Sequence, residues 1–138
     1  MKDNLDEQSR SALVAYRLQR ADETMVEVEA MADIAHYNAA FNRMYYACYY
    51  AVVALLLKNK ISASTHSGVK TMLSLHFVST GKLSTENGKL FISLFETRHS
   101  GDYDDFVYCD RDLYEEYLPK AKKFIEDIKG LLNCQVKK

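Results

Sequence analysis

Arg98-His99-Ser100-Gly101-Asp102-Tyr103-Asp104-Asp105 is the densest run of chemically competent side chains in the sequence. Asp102, Asp104 and Asp105, with Asp110 and Asp112 beyond them, offer the hard oxygen ligands that divalent cations take. Their spacing is not that of a calcium loop, and Asp110 stands where a helix cap is needed, so no metal is expected. Ser100, His99 and Asp102 have the residue types of a nucleophilic triad. A triad is assembled from separate elements, and three near-neighbours on one turn cannot form that relay. Arg98 is a different case. Spacings of three and four from Asn87 through Phe91, Leu94 and Phe95 put it on the apolar face of its helix, in the last turn, where a cation is favoured against the helix dipole. Its guanidinium is expected to point at the core or at a partner, paired with a carboxylate such as Asp102.

These residues need a frame, and the frame is built on Phe41–Leu57. From Met44 to Leu57 there are fourteen apolar residues in a row, too few to cross a bilayer, which needs about 20. The run predicts the central helix of a bundle. It carries two seams, Phe41, Met44, Tyr45, Cys48, Val52, Leu55 and Leu56 on one side, Asn42, Tyr46, Tyr49, Tyr50, Val53 and Leu57 on the other. Ala47, Ala51 and Ala54 between them would let a neighbour come close. Two seams on one helix imply cover on both sides, from its own chain and from a second one. Arg43, in the same helix, reads as a buried charge needing an acid, with Asp102 as the candidate.

The other elements follow from caps and periodicity. Asp3 or Asn4 is expected to cap a first helix with Leu5, Leu13, Tyr16, Arg20, Thr24, Val28 and Met31 inward. Ser64 or Thr65 caps a third helix, with Val69, Leu73, His76 and Phe77 buried, and Gly81 closes it. Ser84 caps the fourth, which ends at Arg98 in a glycine turn dense in acid. Asp110 caps the last, with Leu113, Tyr117, Ala121, Phe124, Ile128 and Leu131 inward and a kink or break near Leu118, before Pro119. The sum is an all-α fold: an up-and-down four-helix bundle with an additional helix, one domain over residues 1–138.

Composition narrows the function. The net charge of −1 gives no global basic field of the kind nucleic-acid binding uses. The charges are segregated, however: no Asp or Glu lies between Ile34 and Thr85, whereas Glu96–Glu116 holds eight acids. That contrast suits association between copies. Three widely spaced cysteines, Cys48, Cys109 and Cys134, have no zinc spacing. No phosphate-binding glycine loop is present. The charged start, MKDNLDEQSR, lacks the apolar core of a signal peptide, so a cytoplasmic protein without cofactor is expected.

Arg43-x-Tyr45-Tyr46-Ala47, Thr65-His66-Ser67-Gly68-Val69 and Arg98-x-x-Gly101-Asp102-Tyr103 occur in that order on successive helices. Together, from about Arg20 to Leu132, the chain resembles the HEPN family of small prokaryotic helical bundles. The resemblance implies a homodimer, often encoded beside a minimal nucleotidyltransferase in toxin–antitoxin or defence modules. Active members are metal-independent ribonucleases with an Arg followed after four to six residues by a His, two copies forming one composite site. Here those positions after Arg98 hold Tyr103, Asp104 and Asp105. A tyrosine, with an unperturbed pKa of about 10, is a poor acid–base group at neutral pH. His99, adjacent on the helix, points about 100° away from Arg98, and the aspartates repel a phosphodiester.

The expectation is therefore an interaction module, a homodimer working with a nucleotidyltransferase-type or toxin–antitoxin partner. Arg98, Asp102, Tyr103, Arg43 and His66 are the candidate nucleotide- or partner-binding residues. The alternative is a ribonuclease or nucleotide-binding protein whose composite groove uses Arg98, Tyr103 and His99 from both chains.

Overall fold

The computed structural model describes the backbone of residues 5–103 and 109–136, and their side chains except those of 98–103 and 134–136. Among the described residues there are five α-helices and no strand: α1 Glu7–Asp33, α2 Tyr37–Lys58, α3 His66–Leu73, α4 Thr85–Tyr103 and α5 Arg111–Val136. Helix α2 packs against each of the other four. No helix among the described residues is long and apolar enough to cross a membrane.

All of the first seam of α2, from Phe41 to Leu56, is buried, and so are Ala40, Ala47, Ala51 and Ala54. The second seam differs: Tyr46, Tyr49, Tyr50, Val53 and Leu57 are half-buried and Asn42 is exposed. Helix α1 is the close neighbour that the alanines admit. It lies along α2 and contributes Arg10, Val14, Ala21, Thr24 and Val28 as its buried stripe. The predicted face was one residue out of register over the first half of α1. Tyr16 is 50% exposed, because a helix approaching a row of alanines turns its small side chains inward rather than its largest. The cap is Asp6, not Asp3 or Asn4: its Oδ1 accepts from Ser9 N at 2.7 Å, which holds the Asp6 carboxyl below its ordinary value. Arg10 is buried with its Nη1 donating to the Leu57 carbonyl at 2.8 Å, a group at the end of α2 that also accepts from Lys60 N at 3.1 Å.

Thr65 caps α3, its Oγ1 accepting from Gly68 N at 2.9 Å. The helix then widens into a π segment, Ser74–Val78, closed by Ser79 N to Ser74 O at 2.9 Å. This corrects the placement of His76. The wider turn keeps Leu73 and Phe77 inward while His76 is exposed. Gly81 ends the element with φ of +82°, and Ser84 Oγ accepts from Asn87 N at 3.0 Å to begin α4. Gly88 on α4 faces Val78; a Cβ there would stand 3.1 Å from both of its γ-methyls. Any larger residue there would press on Val78, so glycine suits this close contact between the π segment and α4.

Helix α4 runs through Gly101 to Tyr103 instead of turning after Arg98, since one glycine weakens a helix without stopping it. Asp110 caps α5 through Leu113 N, 2.9 Å away. Pro119 is exposed and does not break α5; on the outer face the carbonyl left without its N–H partner meets water. Phe91 of α4 stacks on Phe124 of α5, centroids 5.7 Å apart, and Asn87 donates to Asp127 at 2.8 Å.

Candidate functional site

Where α2, α3 and α4 meet, the packing gathers an aromatic cluster around one imidazole. Tyr45 is completely buried, and a phenol in that position needs a polar partner. It finds His66, the first residue of α3, with its hydroxyl 2.7 Å from Nδ1. The His66 ring stacks on Tyr49 at 4.3 Å with 11° between planes, and Tyr46 meets it edge-on at 5.9 Å. Phe91 and Phe95 of α4 close the other side of Tyr45, at 5.7 and 6.3 Å. His66 is thus fixed in position and orientation by three tyrosines of one helix.

Cations border this cluster. Lys70 sits 4.6 Å from the Phe95 centroid, and Arg20 lies 5.5 Å from that of Tyr50 while bonding Glu23 at 2.9 Å. Burial raises the Tyr49 phenol above its ordinary value, and the charge of Arg17 opposes that rise. Tyr49 is therefore neutral at physiological pH and serves as a platform rather than as a base.

Arg43 does not do what the sequence implied. It is one-third exposed and pairs with Glu27 of α1, its Nε donating at 3.0 Å. The acid comes from α1 because α1 is the helix laid along α2, a pairing that periodicity within α2 cannot reveal. Arg98, His99, Asp102 and Tyr103 share the last turns of α4, beyond Phe95. Their side chains lie outside the described residues, as do Asp104 and Asp105 entirely. The structure therefore packs His66 against the α2 tyrosines and pairs Arg43 with α1.

The two described cysteines are free and buried. Cys48 is sealed in the core and burial pushes its thiol up. Burial and the neighbouring Asp110 push Cys109 up to about 11, and its amide donates to Asn38 Oδ1 at 2.6 Å. No group of three or more His, Cys, Asp or Glu side chains suited to a metal occurs among the described residues.

The HEPN domain family matches residues 14–131. The chain belongs to that family. Among its relatives, a UPF0332 protein of Thermotoga maritima is 34% identical over 89% of this chain and 93% of its own length. Two proteins of Methanocaldococcus jannaschii are also similar. "Putative toxin MJ0142" is 29% identical over 83% of this chain and 78% of its own. "Putative toxin MJ0605" is 26% identical over 96% and 97%. As an HEPN chain, the protein keeps the order of the three quoted motifs but has no histidine four to six residues after Arg98.

Proposed function

We propose that this HEPN chain is an interaction module: a cytoplasmic homodimer, one domain over residues 1–138, that works with a nucleotidyltransferase-type or toxin–antitoxin partner and does not itself cleave RNA. The observation that carries the reading is the fate of the imidazole. Tyr103, Asp104 and Asp105 stand where the family's ribonucleases place histidine. His66 is engaged by its own chain, Nδ1 on the Tyr45 hydroxyl and its face on Tyr49. An imidazole held in that way supports a structural role better than proton transfer to an RNA 2′-hydroxyl. The half-buried tyrosine seam beside it, bordered by Arg20 and Lys70, supports association with a second copy. The toxin names carried by relatives support the two-component setting.

Incubating the purified protein with mixed RNA and a chelator, beside Arg98→Ala, tests the reading. Intact RNA in both samples is expected, with a sedimenting mass near twice the monomer at micromolar concentration. Cleavage by the native chain that Arg98→Ala abolishes would establish the ribonuclease instead, and a monomer would remove the module as described.

A further inference from the structure

A trough runs between the first half of α4 and the middle of α5, at the opposite end of α4 from Arg98. It encloses about 490 Å³ and is lined by Ser84 to Ser93 on one side and by Tyr117, Lys120 and Lys123 on the other. Nine residues of helix span roughly 13 Å at 1.5 Å per residue. The floor is Leu90 and the Tyr117 ring, the latter held edge-on by Phe41 at 5.2 Å. Lys89 stands on the α4 rim and Lys120 and Lys123 on the α5 rim, with Glu86 the one acid among the lining residues.

The lysines are available to a ligand. Lys120 and Lys123 do make pairs with Glu116 at 3.6 Å and Asp127 at 2.5 Å. Neither acid lines the trough, however, and both lysines are more than half exposed, 57% and 67%. Exposed pairs of this spacing are weak and readily exchanged. An occupant therefore meets an apolar floor with two lysines on the α5 side and, on the α4 side, Lys89 beside Glu86. The shape is an open channel between antiparallel helices rather than an enclosed pocket, which is the geometry that receives an amphipathic helix.

We infer that this α4–α5 trough docks an acidic amphipathic helix of a partner protein, with apolar side chains on Leu90 and Tyr117 and carboxylates at Lys89, Lys120 and Lys123. The inference rests on the module reading and names the chemistry of the partner that module would take. The complementarity is directional: apolar stripe down the middle, acids on both flanks.

The test is an NMR titration of the full chain with a synthetic peptide of about three helical turns, leucines at helical spacing and glutamates on both flanks. The expected result is shifts at Leu90, Ser93 and Tyr117, weakening as salt rises. Lys120→Glu with Lys123→Glu should weaken binding at least tenfold, while Lys120→Arg with Lys123→Arg preserves it; unchanged circular dichroism keeps the first result interpretable. Absence of shifts in the trough overturns the inference, as does equal binding of a scrambled peptide of the same composition. A response of these residues to AMP, inorganic phosphate or single-stranded RNA but not to the peptide overturns it too. The dimer mass is read on the same samples: a trough that fails in an intact dimer rejects this docking surface alone, and a monomer rejects the reading beneath it.

Discussion

Thr24 lies on the buried stripe of α1 with no exposed surface, and its hydroxyl has no hydrogen-bond partner among the described residues. A buried hydroxyl in that state costs about 1–3 kcal/mol. Valine has nearly the same shape and no hydroxyl to leave unpaired, so Thr24→Val is expected to raise stability by about 1 kcal/mol in a denaturant melt. Asp127 is the opposite case, a polar group with two partners. Its bonds to Lys123 first, then to Asn87, lower its carboxyl from the ordinary 3.8. A group whose folded value is depressed contributes stability that is complete above its unfolded value and is lost as pH falls through the folded one. Melting temperature should thus decline below about pH 4, and Asp127→Asn should flatten that decline only slightly, because the pair with Lys123 is exposed and weak. At this scale the sequence was partly legible. Tyr45 was placed in the core, and a buried phenol announces a partner, but the identity of His66 depends on how α3 docks. Arg10 was missed although its spacing to Val14 put it on the buried stripe.

At the scale of elements, Thr65, Gly81, Ser84 and Asp110 act as their types predict, whereas the cap of α1, the end of α4 and the effect of Pro119 were misread. Orientation was read less well, because which face of α1 turns inward depends on the alanine row opposite it and not on α1 alone. The π segment left no pattern either, since one extra residue per turn looks like ordinary helical spacing over so short a run. It explains His76 and it also fixes Gly88. Alanine normally stabilises a helix by about 1 kcal/mol over glycine. At position 88 its Cβ would press on both γ-methyls of Val78, and rotating a β-branched side chain leaves another methyl in the way. Gly88→Ala should therefore lower stability by about 1–2 kcal/mol, and Val78→Ala added to it should recover part of the loss in the same thermal melt.

For the molecule as a whole, the segregated charge and the two-seamed helix are one arrangement seen twice. Helices α2 and α3 carry no acid, and their tyrosine seam is only half-covered by the rest of the chain. The first seam was legible because it is purely apolar. The second was recognisable only as incompletely covered, and the acid-rich segment after α4 could not be paired with a particular cation from sequence. Helix α2 touches all four other helices, which has a consequence for how the protein breathes. The fully buried face of α2, at Met44, Tyr45, Cys48, Val52 and Leu55, is the part most completely covered by the rest of the molecule. Exchange of those amides with deuterium should wait for opening of the entire molecule, so the amides on that face between Met44 and Leu55 are expected to share one slowest rate whose free energy equals that of global unfolding. A spread of rates across that stretch, with some far faster than the unfolding limit, would mean that α2 can be uncovered piecemeal.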